Sequence, residues 1–284
     1  MTEQKTPLTP ELISDPGEVP LRIHSRVTEE IAEMSLLKRS LLFAELSMIA
    51  YNDENEAQRA VNTIGFPISI HFDYDGAQGF YFENDRDAVV VCRGTEPNEW
   101  NDIHADVNVA TVLAETAGRV HRGFRQEVDD LWPSMEKHLH GLNKTLWFTG
   151  HSLGAAMATI CAYRCHVSSE CAKPRELFTY GCPRVGDRHY INFVPLNHYR
   201  WVNNNDIVTR VPPVWMGYRH GGIEMYLNRN GMLRTLNYAA KRLDRWHGFL
   251  RGLRQLQIDH FSDHSIHEYV KNIVSVVARE EGER

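Results

Sequence analysis

The residues with the most chemistry to offer stand at Gly150-His151-Ser152-Leu153-Gly154. A serine hydroxyl is a weak nucleophile at neutral pH, so an attacking serine needs a base to take its proton and a carboxylate to orient that base. G-x-S-x-G gives such a serine its setting when a strand runs into it and a helix runs out of it. Both flanks are legible: Leu146-Trp147-Phe148 is a short apolar run, and Ala155-Ala156-Met157-Ala158 is a run of small helix formers. Ser152 is then expected on a sharp turn with its hydroxyl projecting, while Gly150 and Gly154 let strand and helix close on one another. The N–H of Leu153 would open the helix, where unpaired donors and the helix dipole favour an oxyanion.

The base and the acid must come from later in the chain, in the order serine, acid, histidine. Imidazole is the side chain whose ordinary pKa suits the base. The late candidates are His260, His264 and His267. Asp206 is the acid nearest a predicted strand end, with Asp187 as its rival; Asp244, Asp259 and Asp263 lie too close to a helix pattern or to the histidines. His260 and His264 stand four apart, as a metal pair can, but no acid-rich partner set accompanies them. A second oxyanion donor is expected from the loop after an early central strand. Thr95, following Ala88-Val89-Val90-Val91-Cys92 and then Arg93-Gly94, is placed to supply it.

The elements that must position these groups read as alternating strands and helices. Apolar spacing predicts a helix from Thr28 to Ala50, and strands over Ile64–Tyr74 and Gly79–Glu83. The unbroken apolar run 88–92 predicts a strand buried on both faces of a largely parallel sheet. A helix is expected over Glu127–Leu142, with Pro133 as a kink or break, followed by the strand that enters the serine turn. Leu177–Gly181, Tyr199–Val202 and Tyr218–Asn228 read as further strands, the last leading into a turn through Asn230-Gly231. Lys241–Leu256 is amphipathic and basic, a surface helix or one that lies on an anionic membrane; His260–Val277 closes the chain as a helix. Thr95, Ser152 and Asp206 each follow a predicted strand, and sites in such sheets gather at the carboxyl ends of the strands.

At 284 residues with a net charge of −6, the chain is long enough for one large domain and carries no basic balance for nucleic acid. No apolar run approaches the ~20 residues that span a bilayer. Met1–Pro20 is polar and proline-rich without an apolar leader core, so a cytoplasmic protein is expected, a mature secreted form being the alternative. The five cysteines follow no zinc-ligand spacing and read as reduced, buried thiols.

Taken together, Val91-Cys92-Arg93-Gly94-Thr95, Val120-His121-Arg122-Gly123-Phe124, Gly150–Gly154, Tyr180-Gly181-Cys182-Pro183-Arg184-Val185-Gly186, Asn205–Pro213 and Asp263-His264-Ser265-Ile266 resemble the class 3 lipases, the fungal-lipase-like branch of the α/β-hydrolases. The resemblance implies an α/β fold, with a mostly parallel central sheet and helices on both faces. It implies Ser152 as nucleophile, Asp206 as orienting acid, His264 as base, and Thr95 with Leu153 as oxyanion donors. It implies a lid over about residues 96–118 within a single domain from 28 to 284, with residues 1–27 leading in. The expected substrate is an ester of fatty acids, first of all an acylglycerol, with transient contact at a lipid–water interface and no metal or organic cofactor. A phospholipase, a short-chain or feruloyl-type esterase, and a non-catalytic interaction protein on the same scaffold are the alternatives. The chain departs from the family pattern at Ala155, where a second glycine is common, and in its long basic stretch from Trp215 to Asp263.

Overall fold

In a computed structural model, described over residues 11–13, 21–94, 110–235 and 262–282, the strands form one eight-stranded sheet and two small antiparallel pairs. The first pair is β1 (Glu11–Ile13) with β2 (Leu21–Ile23). The sheet is built from β3 (Ile68–Tyr74), β4 (Ala77–Glu83), β5 (Asp87–Cys92), β8 (Thr145–His151), β9 (Pro174–Tyr180), β10 (Asn197–Asn203), β11 (Ile223–Leu227) and β12 (Leu233–Arg234). Its spatial order is β12-β11-β10-β9-β8-β5-β4-β3. The five central strands β5, β8, β9, β10 and β11 run parallel, and both edges are finished by antiparallel hairpins. The second pair joins β6 (Thr111–Leu113) to β7 (Arg119–His121).

Helices cover both faces, so the central strands carry apolar residues on both sides. Val89, Val91, Trp147 and Phe178 pack with α1 (Leu36–Ile49), α2 (Glu54–Ile64) and α6 (Ile266–Gly282). Ala88, Val90, Phe148 and Leu177 face the other way, against α3 (Arg122–Leu139) and α4 (Leu153–Val167). A short helix α5 (Arg188–Phe193) follows β9. The unbroken run 88–92 is therefore a fully buried strand, as its lack of alternation predicts.

Several boundaries differ from the sequence expectation. The predicted helix from Thr28 is a 3-10 turn at Ile31–Glu33 and then α1, because Ser35 caps the helix by accepting the Lys38 N–H at 3.3 Å. The expected strand beginning at Ile64 starts at Ile68 instead. The sequence before it forms α2, capped by Asp53 and stopped by Gly65 at φ +117°. Pro133 lies inside α3 without ending it. The expected strand from Tyr218 starts only at Ile223. Of the expected lead-in, Ile23 and Val27 are buried in the core. The part of the 96–118 segment among the described residues contains β6, tied to β7. Residues 95–109 and the amphipathic stretch 241–256 lie outside the described residues.

Register brings the strand ends level. Cys92 pairs with Gly150, His151 with Tyr180, and Tyr180 with Trp201. The residues just past these pairs therefore come out in one row along the carboxyl edge of the sheet.

Candidate active site

Ser152 stands between β8 and α4 at φ +61° and ψ −129°, a conformation costly for any residue with a side chain. The turn is held because the Ser152 N–H donates to the Tyr180 carbonyl at 3.0 Å and the helix begins at once, with Ala155 N–H reaching the Ser152 carbonyl. Close packing requires Gly154: a Cβ there would lie 2.1 Å from the Cys92 carbonyl oxygen. Ala155 is fully buried in α4, so the departure from a second glycine is accommodated.

Three segments meet at this turn. His264 Nε2 lies 2.8 Å from Ser152 Oγ, and its Nδ1 lies 3.0 and 2.9 Å from the two carboxylate oxygens of Asp206. A carboxylate only accepts, so Nδ1 carries the proton and Nε2 is left to accept from the serine hydroxyl. Asp206, at the turn after β10, also accepts the Val208 N–H at 2.9 Å and the Tyr269 hydroxyl at 2.6 Å. All three side chains are buried. An imidazole oriented by a carboxylate and bonded to a serine hydroxyl is the arrangement for general-base activation of that hydroxyl.

The rival candidates are accounted for separately. Asp187 caps α5 by accepting the Tyr190 N–H at 2.8 Å. Asp263 accepts the Asn205 N–H at 3.2 Å and so braces the turn that carries Asp206. His267 is exposed on the first turn of α6. His260 lies outside the described residues, as does Thr95. Gly94, next to Thr95, sits beside the serine: a Cβ on it would be 2.6 Å from the His151 carbonyl oxygen and 3.1 Å from Ser152 Cβ. Leu153 opens α4 immediately after Ser152.

Other groups shape the site without being singled out by sequence. Tyr269 donates to Asp206 while its oxygen accepts the Asn203 N–H at 2.9 Å, tying α6 to the end of β10. Its sequence signal, an aromatic at helical spacing, is indistinguishable from core packing. Gly181, at φ +60°, leaves room for the His264–Asp206 hydrogen bonds: a Cβ would stand 2.8 Å from Asp206 Oδ2 and from His264 Nδ1. His151 lies beneath His264. Its Nε2 is 2.6 Å from the His264 carbonyl oxygen, and its Nδ1 is 2.8 Å from the Tyr51 hydroxyl. Burial pushes its pKa well below the usual histidine value, so the ring is neutral; a carbonyl cannot donate, which makes Nε2 the protonated nitrogen.

Residues 89–216 match the family described as Lipase (class 3). Among curated relatives, the chain is 34% identical over 184 residues to toxin TseL of Vibrio cholerae, covering 50% of this chain and 28% of that protein. It is 36% identical over 117 residues to secreted mono- and diacylglycerol lipase 1 of Fusarium solani, covering 38% of this chain and 34% of that one. The chain thus spans about a third of the length of these curated relatives. The fold is similar to the triacylglyceride lipase of Rhizomucor miehei, with a TM-score of 0.56 and 20% identity over 68% of this chain and 81% of that one. Taken with the strand–turn–helix at Ser152, these likenesses make residues 89–216 similar to the class 3 lipase family, and the sheet with its helices similar to the fold of the fungal lipases.

Proposed function

We propose that this protein is a serine hydrolase of fatty-acid esters, acting on acylglycerols through an acyl-enzyme on Ser152. The observation that carries the reading is the contact of three side chains distant in sequence: Ser152 Oγ to His264 Nε2 at 2.8 Å, and His264 Nδ1 to Asp206 at 2.9 Å. The name of the Fusarium relative, a mono- and diacylglycerol lipase, supports the substrate class.

In the proposed reaction, His264 takes the proton of Ser152 as Oγ attacks the ester carbonyl, and Asp206 stabilises the imidazolium. The N–H groups of Leu153 and Thr95 hold the oxyanion; losing one such donor typically raises a barrier by ~3 kcal/mol. His264 returns the proton to the leaving alcohol, then activates a water that releases the fatty acid. Every step uses groups of the chain and water alone.

Ser152 is fully buried, so an acyl chain reaches it only after some covering element moves. We assign that movement to a lid within residues 96–118 of one catalytic domain running from 28 to 284. Exposed Ile207, Val214 and Trp215, on the segment that follows Asp206, support transient contact with a lipid surface. No helix among the described residues is long and apolar enough to cross a membrane. The five cysteines are free and buried, which supports action in a reducing, cytoplasmic compartment.

The test is fluorophosphonate labelling together with a chain-length series of p-nitrophenyl esters, in solution and as emulsions. Wild type is expected to label at Ser152 and to turn over long-chain esters faster above their solubility limit. Ser152→Ala should lose label and on the order of 10⁵- to 10⁶-fold in kcat while its circular dichroism stays unchanged. An unlabelled wild type beside a labelled control hydrolase refutes the reading in favour of an interaction protein. Equal rates below and above the solubility limit would favour a short-chain esterase.

A further inference from the structure

At the end of the sheet remote from Ser152, a second cluster of reactive side chains comes together. Glu136 lies in the last turn of α3, His140 caps that helix, and Cys171 lies in the connection between α4 and β9. One ligand atom from each of the three lies within 4.8 Å of the others. The backbone fixes this meeting independently of the side chains. His140 and Cys171 form a β-bridge, the Gly141 N–H donates to the Glu170 carbonyl at 3.3 Å, and the Ala172 N–H donates to the Leu139 carbonyl at 3.1 Å. The two segments are thus held face to face where the candidate ligands project.

The spacing suits a particular class of ion. Tetrahedral zinc with bonds of 2.0–2.1 Å places neighbouring N and O ligands about 3.3 Å apart. His140 Nε2 lies 3.5 Å from Glu136 Oε1 and 3.5 Å from Glu170 Oε2. The sulfur of Cys171 is buried while His140 is exposed and Glu136 half-buried, so the cluster has a closed floor and an open mouth. Surface ion pairs between histidine and glutamate need no thiol and contribute little on their own. A thiol beside an imidazole and a carboxylate is instead a donor set that favours zinc over the hard cations calcium and magnesium.

We propose that Glu136, His140 and Cys171 bind a zinc-class divalent ion, with the Glu170 carboxylate or a water as the fourth ligand. The ion ties the end of α3 to the loop entering β9. It sits at the amino ends of β8 and β9, roughly 20 Å of strand away from the serine, and takes no part in ester cleavage. Linear cysteine spacing does not reveal the site because its ligands come from two segments that only the β-bridge brings together.

The full chain, stripped with a chelator and kept in a non-thiol reductant, is titrated with Zn²⁺ by equilibrium dialysis and with Co²⁺ by absorption spectroscopy. Wild type is expected to bind one ion that Cys171→Ser and His140→Gln each weaken at least tenfold. Its Co²⁺ complex should show a thiolate-to-cobalt charge-transfer band that Cys171→Ser abolishes. Glu136→Gln, on a half-exposed side chain, serves as a third variant, and near-ultraviolet circular dichroism verifies that each variant is folded. Zn²⁺ should raise the melting temperature of wild type and leave that of Cys171→Ser unmoved. Binding that all three folded variants retain in full, or a Co²⁺ complex without the thiolate band, would place any ion on other histidines and overturn the proposal. Absence of binding overturns it as well.

Discussion

Tyr269 shows how much of a site can rest on one hydroxyl. It donates to Asp206 and accepts from Asn203, so it steadies the carboxylate and satisfies a buried backbone donor at once. Tyr269→Phe removes both bonds and leaves the Asn203 N–H unpaired in the core. We expect a stability loss of about 1–3 kcal/mol in urea denaturation. Because Asp206 keeps its bonds from Val208 and His264, kcat should fall only about tenfold, far less than on loss of Ser152. A kcat unchanged by Tyr269→Phe would show that the other bonds alone orient the acid. His151 is a different case: the sequence presents it as the variable residue of G-x-S-x-G, yet it supports His264 from below through the backbone carbonyl.

At the level of elements, α1 does more than cover the sheet. Glu45, fully buried on its inner side, accepts the His24 N–H at 2.7 Å and the Ser25 N–H at 2.9 Å, docking the chain that precedes the helix. Burial raises its pKa to about 7 despite those bonds. A carboxyl whose folded pKa is raised contributes stability that is complete below the unfolded value of 4.5 and is lost as pH climbs through about 7. Glu45→Gln cannot accept both N–H groups with one oxygen, so it should be less stable than wild type at pH 5. That deficit should shrink by on the order of 3 kcal/mol between pH 4.5 and pH 7, because the variant lacks the titration. Urea midpoints for both proteins across this range provide the check; a pH-independent difference would mean Glu45 titrates normally.

Across the whole molecule, buried histidines set the acid limit. Desolvation lowers His198 to about 3 and His121 to about 4, and takes His151 and His220 well below the usual value. A histidine with a depressed folded pKa contributes stability that is present above the unfolded value of 6.5 and is lost as pH falls below it. Glu45, raised to about 7, pulls the other way over this range, and burial also raises Asp87, Glu127, Glu176 and Asp263 from their lower starting values. The four histidines lose their contribution together just below 6.5 and outweigh that opposing pull. Global stability should therefore drop between pH 6.5 and pH 5.5, by on the order of 1 kcal/mol for each histidine. Chemical denaturation at the two pH values tests this. A chain equally stable at both would mean that these rings take up protons while folded.

The sequence alone determined what depends on neighbours along the chain. The turn at Ser152 could be read because an apolar strand, two glycines and an alanine-rich helix are contiguous. The doubly buried β5 could be read because five apolar residues in a row have no other comfortable home. Boundaries such as the start of α1 at Ser35 and the existence of α2 were less legible, since capping by Ser35 and Asp53 competes with an apolar periodicity that runs on past them. The residues alone left two acids and three histidines open, the resemblance pointed to Asp206 and His264, and only the tertiary structure shows these two reaching the serine. Asp187 and Asp206 both follow strands, but one is taken up in capping a helix while the other is held beneath α6 by Tyr269. Tyr269, Gly181 and the Glu136–His140–Cys171 cluster escaped the sequence for the same reason. Their chemistry comes from contact across distant segments, and distance along a chain says little about distance in a packed interior.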